Sequence, residues 1–219
     1  MLTQALALPS ITQAGGEPDL GRSTLAVPIQ WATSAQHVKE TYMQVSNLEK
    51  DQSLAQLFAF ELTLLVGDLQ AEWKRCNMLA NYIAAYVAYQ FIHQERAENI
   101  ISTIANELLE AVVFLAPQHS HLYIRCRQFE QGLLLEAKHI ICAETVGPYL
   151  TFLEGLNSDS LDQQYVNLLT TESKPAEYFN QLGLLMLMHD FGTHLTTYRS
   201  NNSDEICTRL FIATQEFLK

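Results

Sequence analysis

Basic side chains are scarce in this chain: 13 lysines and arginines stand against 24 aspartates and glutamates, leaving a formal net charge of −11 with the seven histidines neutral. That deficit excludes a nonspecific binder of phosphate backbones, whose affinity comes from clustered Lys and Arg. Paired cysteines are lacking too. Cys76, Cys126, Cys142 and Cys207 lie scattered among apolar runs with no CxxC spacing, the pattern of buried free thiols in a reducing cytoplasm rather than of a disulfide or metal scaffold. No positive side chain precedes Arg22, and Thr3, Gln4 and Pro9 interrupt the opening apolar stretch, so a secretory leader is not expected. The charge-free run from Cys76 to Gln94 carries Asn77, Asn81, Gln90 and His93 and reads as a buried amphipathic helix, not a membrane span. Three catalytic signatures are absent as well: no GxGxxG follows a strand pattern, and there is neither a phosphate-binding P-loop nor a GxSxG nucleophile turn.

What the chain does have is core. Of its 219 residues, 48% are hydrophobic and only 17% charged, which excludes a wholly disordered protein and suits one domain with an extension. Residues 1–24 hold Pro9, Gly15, Gly16, Pro18 and Gly21 and read as a flexible leader. Residues 25–50 place Val27, Ile29 and Trp31 on alternate positions and Val38, Tyr42 and Val45 at helical spacing. They predict a short strand and helix that adds to the main domain or to a dimer interface, with Trp31 and Tyr42 as candidate anchors.

From residue 55 onward the periodicities alternate between two kinds. Phe58–Val66 predicts a strand ending at a Gly67-Asp68 turn, and two long helices follow over Leu69–His93 and Arg96–Ala116, stopped by Pro117. His121–Arg127 and Leu133–Cys142 predict a hairpin turning near Gln131-Gly132. Further helices are expected at Pro148–Leu156, Asp159–Leu169 and Gln181–Phe191, and a closing hairpin at Leu195–Arg199 and Ile206–Phe217 with its turn at Asn201–Asp204. This order predicts a mixed α/β, two-layer α+β sandwich, a mostly antiparallel sheet covered on one face by helices. A four-helix bundle is the alternative if the β-rich segments are misread.

The residues that carry chemistry are few. In Ile101–Leu115, Glu107 sits one helical turn before Ala111, so the two positions share a helix face. Gln181–Gly192 places Gly183 near a helix start, where backbone amides are able to approach an anion. His119 and His121 share one side of a strand, but the sequence specifies no third metal ligand.

The Ile104-Ala-Asn-Glu-Leu-Leu-Glu110 segment resembles the N-box helix of the GHKL superfamily, the ATP-binding fold of sensor histidine kinases, gyrase and bacterial anti-sigma-factor serine kinases. Gln181–Gly192 resembles its later glycine box. The resemblance spans residues 55–219, a GHKL-like domain. It is similar in particular to bacterial regulators related to the kinases of STAS-domain partner-switching pathways. In that family the N-box glutamate orients or deprotonates the attacking group, and an asparagine four residues later ligates magnesium. Here Glu107 matches the glutamate and Ala111 holds the asparagine position. Glu144 and Gly147 stand where the first glycine box is expected, and Gly183 stands in the later one.

The resemblance thus implies a nucleotide pocket at Glu107, Ala111, Glu144, Gly147 and Gly183, able to take ATP or ADP with weak or no magnesium dependence. It also implies a cytoplasmic regulator that binds a STAS-domain or sigma-like partner, or a second copy of itself, without nucleic acid or membrane insertion. Two readings stay open. One is a pseudoenzyme acting by protein–protein interaction; the other is an active serine kinase that uses Glu107 as base and recruits its metal through Asn106 or Glu110.

Overall fold

The computed structural model describes residues 56–156, 161–170, 180–199, 204–213 and 217; the leader and extension expected over residues 1–50, and the turn at 201–203, lie outside them. Five strands, β1 (Gln56–Leu65), β2 (His121–Phe129), β3 (Gly132–Ile140), β4 (His194–Arg199) and β5 (Glu205–Ala213), form one antiparallel sheet in the order β1-β2-β3-β5-β4. Six helices accompany it among the described residues: α1 (Val66–Ala71), α2 (Lys74–Ala88), α3 (Gln94–Leu115), α4 (Ala143–Gly155), α5 (Leu161–Thr170) and α6 (Gln181–His189).

Period-two alternation decides which side chains enter the core. Leu122, Ile124 and Cys126 of β2, Leu133, Leu135 and Ala137 of β3, and Ile206, Leu210 and Ile212 of β5 share one buried cluster with α2, α3, α4 and α6. Each leucine or isoleucine so enclosed contributes roughly 2 kcal/mol of burial. The helices therefore cover this one face, the two-layer α/β arrangement that the element order predicts, and the sheet excludes the four-helix bundle. Small residues let the two longest helices approach closely: Ala80, Ala84 and Ala88 of α2 are buried at helical spacing, with Ala97 and Ala105 on α3.

The structure departs from the sequence-based expectation in three places. Gly67-Asp68 is not a turn but lies inside α1, and the single helix expected over Leu69–His93 is two, broken at Glu72-Trp73. A contact distant in sequence holds the start of α1: the Gly67 amide donates to the Gln118 carbonyl at 2.8 Å, and a β-carbon at Gly67 would crowd that oxygen. Gln70 Nε2 donates to the Val113 and Ala116 carbonyls at 2.9 and 3.0 Å, satisfying the otherwise orphaned end of α3. The third departure is α4, which begins at Ala143 rather than Pro148, so the proline is internal.

Tyr149 anchors this helix to the sheet. Its buried hydroxyl lies 3.2 Å from Thr208 Oγ1 and 3.5 Å from Thr197 Oγ1. No described helix is long and apolar enough to cross a membrane, and none of the four cysteines is in a disulfide, Cys76 and Cys126 being buried and Cys142 and Cys207 half-buried.

Candidate functional site

The buried stripe of α3, which includes Ile101, Ile104, Leu108 and Val112, faces the core, and this orientation leaves Glu107 half-buried on a flank that meets the start of α6. Asn180, the residue before α6, joins the two helices with both ends of its amide. Its Oδ1 accepts from the Gly183 backbone N–H at 2.8 Å, and its Nδ2 donates to Glu107 Oε2 at 3.0 Å. The first bond is an N-cap that satisfies one of the helix's free amides; the second ties the cap to a carboxylate from a distant part of the chain.

Gly183 completes the seam. A β-carbon there would overlap Glu107 Oε2 and the Asn180 amide, so the glycine is needed for close approach, not for a left-handed backbone. Gly192 alone has positive φ among the described residues. The family resemblance assigns Gly183's space to a phosphate; in this structure the Glu107 carboxylate takes it.

Burial and the neighbouring Glu110 charge raise the Glu107 pKa above the ordinary carboxylate value, and the Asn180 hydrogen bond offsets part of that rise. One turn along α3, Asn106 Nδ2 donates to Glu110 Oε1 at 2.8 Å. The two side chains offered by sequence as substitute metal ligands are thus bound to each other. Glu110 also faces α2: together with the larger effect of burial, its charge pushes the Cys76 thiol up to about 11, which leaves that thiol protonated and a poor nucleophile at neutral pH.

Of the five positions expected in the pocket, the structure brings two together, Glu107 and Gly183. Ala111 is 1% exposed and belongs to the hydrophobic core, so its methyl is packed rather than presented to a ligand. Glu144 and Gly147 are exposed in the first turns of α4, and a β-carbon on Gly147 would meet nothing within 4 Å. The stretch expected to be the first glycine loop is therefore regular helix, with no close approach that calls for a glycine.

Asn180 was absent from the expected set, although an asparagine immediately before an apolar helical run is an N-cap signal. His121 is exposed at the start of β2 beside Tyr123, and no three His, Cys, Asp or Glu side chains gather into a metal-binding group among the described residues. His189 stacks on Tyr165 at 4.4 Å and joins α5 to α6. Comparison with known families finds no family model that matches this chain, and no curated protein matches it.

Proposed function

We propose that this protein is a GHKL-like regulator that acts by protein–protein interaction in a bacterial partner-switching pathway, with a STAS-domain or sigma-like partner, and does not transfer phosphate. The observation that carries the reading is the closed seam between α3 and α6. The one carboxylate suited to act as base is held by Asn180 and seated against the Gly183 α-carbon. A nucleotide phosphate at that helix start would have to displace it. Support for an interaction role comes from α2, whose Met78, Tyr82 and Tyr86, with Tyr89 just after the helix, form an exposed stripe at helical spacing. Tyr86 is stacked on Phe58 of the edge strand β1 at 5.0 Å. Contiguous exposed aromatics of this kind mark partner surfaces more often than solvent faces.

Calorimetric titration of the full chain with ATP and ADP, each with magnesium and with EDTA, tests the reading. No heat of binding, or binding indifferent to magnesium, is the expected result; micromolar, magnesium-dependent binding overturns it. The raised Glu107 pKa favours one second reading, an active serine kinase with Glu107 as base, because a base poised toward neutrality is what proton abstraction uses. Under that reading Glu107→Ala abolishes phosphorylation of the partner, whereas under the first it leaves partner binding intact.

A further inference from the structure

The two edges of the sheet are not alike. At one, β4 is six residues long with His194 and Arg199 at its ends, the short and charged kind of edge that discourages further pairing. At the other, β1 runs for ten residues and, among the described residues, pairs with β2 alone. It holds no proline, its register shift with β2 falls before Phe58, and its one charged side chain, Glu61, lies 2.6 Å from Arg125 Nε. Its cover is incomplete as well. The core-facing residues of the inner strands are buried, Leu122, Leu133 and Leu210 among them, whereas Phe58, Phe60, Leu62 and Leu64 of β1 are only half-buried.

The exposed stripe of α2 lies beside that row. Tyr86, 52% exposed, touches both Phe58 and Phe60, the second edge-on at 5.9 Å, and Tyr82, 56% exposed, follows at 6.4 Å from Tyr86. Open backbone edge, half-covered apolar row and aromatic stripe are therefore one continuous surface.

We propose that this surface is the interface of a symmetric homodimer, in which β1 of one chain pairs antiparallel with β1 of a second copy and the two α2 helices pack across the twofold axis. The proposal rests on the reading of α2 as an interaction surface and gives that surface its occupant. An edge strand's free N–H and C=O groups are a template for another extended backbone, and a twofold axis supplies one while setting the same aromatic stripe opposite itself. Charge selects a copy over an unlike protein. The chain carries −11 overall, so two copies repel at long range, but the run from Cys76 to His93 has no Asp, Glu, Lys or Arg and Glu61 is paired with Arg125. Two acidic chains meet there without facing like charges, whereas a basic partner steered by the acidic field gains nothing from an uncharged stripe.

Glu61 also sets the register. An axis at Glu61 would put two carboxylates directly opposite each other, which is destabilising. An axis at Phe60 keeps the pleats of the two strands in phase. It sets Phe60 against its own copy and Phe58 against Leu62, with both Tyr86 rings near the axis.

Sedimentation and photo-crosslinking of the full 219-residue chain test this. The expected mass at micromolar concentration is that of two chains. Met78→Glu/Tyr82→Glu, checked for native circular dichroism, is expected to raise the dissociation constant by about a hundredfold or more. p-Benzoylphenylalanine at Tyr82 is expected to give adducts that join two chains within residues 56–93, and this result decides alone if the double variant does not fold. Four results overturn the proposal: a single-chain mass, a dimer that the folded double variant leaves intact, adducts within one chain or to peptides outside 56–93, or no adduct. The nucleotide titration is independent of all of them. A monomer that binds no nucleotide overturns the dimer and leaves the regulatory reading standing; a dimer that binds ATP only with magnesium does the reverse.

Discussion

Glu107 and Glu136 are both carboxylates withdrawn from water, yet they stand in different company. Glu107 faces a neutral amide and a second acid, Glu110, with no arginine or lysine paired to it among the described residues, and burial raises its pKa. Glu136 is more deeply buried but lies between Arg127 and Arg209. The helix seam therefore has a carboxylate whose charge costs the fold free energy, and the sheet face has one that two guanidiniums require. A buried acid alone identifies neither a catalytic base nor a structural ion pair; the charges facing it do.

The sharpest way to break this comparison is to remove each acid in turn. Glu136→Ala removes the buried carboxylate that two largely buried arginines share and is expected to cost about 3 kcal/mol, read as a fall in the urea midpoint at unchanged slope. A second large effect belongs to the same strand. His139 is 1% exposed, and burial lowers its pKa from 6.5 to about 4. The unfolded chain therefore binds a proton that the folded one refuses between those values. The stability is complete above pH 6.5 and declines as the pH falls toward 4, by about 3 kcal/mol in all. Thermal melts across that range detect it, and His139→Leu flattens the acid limb.

The helix seam is tested by adding volume. Gly183→Ala places a methyl group on the Glu107 carboxylate and is expected to cost about 2 kcal/mol. Much of that cost is expected to vanish in a Glu107→Ala background, so a double-mutant cycle in denaturant reports a coupling between positions 107 and 183. The smallest effect distinguishes the two acids most directly. Glu107→Gln keeps an oxygen for Asn180 and removes the buried charge. Its stability at pH 7 is expected to exceed the parent's slightly, by about 0.5 kcal/mol, because the charge that burial penalises is gone. The penalty that Glu107 imposes as the pH rises through its elevated pKa is expected to disappear from the pH profile.

How much of this was legible in the sequence depended on the range of the interactions. The strands were, because Leu122, Ile124 and Cys126, or Ile206, Leu210 and Ile212, declare a buried face through local alternation alone. The start of α1 was not, since Gly67 meets Gln118 there, a contact no local window contains. The start of α4 at Ala143 was hidden by Pro148, which marks a helix's first turn more often than its interior.

At the site, Glu107 and Gly183 were each singled out by motif, but their contact with one another, and the part of Asn180 in it, required the fold. Ala111 shows the opposite limit. Its position one turn after Glu107 suggested a shared functional face, and the helix is rotated so that the methyl enters the core. Glu136 gave no signal at all, because Leu133-Leu-Leu-Glu-Ala is compatible with a carboxylate on either side of the sheet.

The strand order has a kinetic consequence. Two of the four seams in the sheet, β2–β3 and β4–β5, join consecutive strands through short connections, while β3 meets β5 only after α4, α5, α6 and β4 have intervened. Hairpins of the first kind close in microseconds, whereas the central seam must first overcome the loop-closure entropy of everything between its strands. The Leu135–Leu210 pairing is thus the step that turns two independent ribbons into one cooperative sheet, and the amide protons along it would be among the last to gain protection from exchange during refolding.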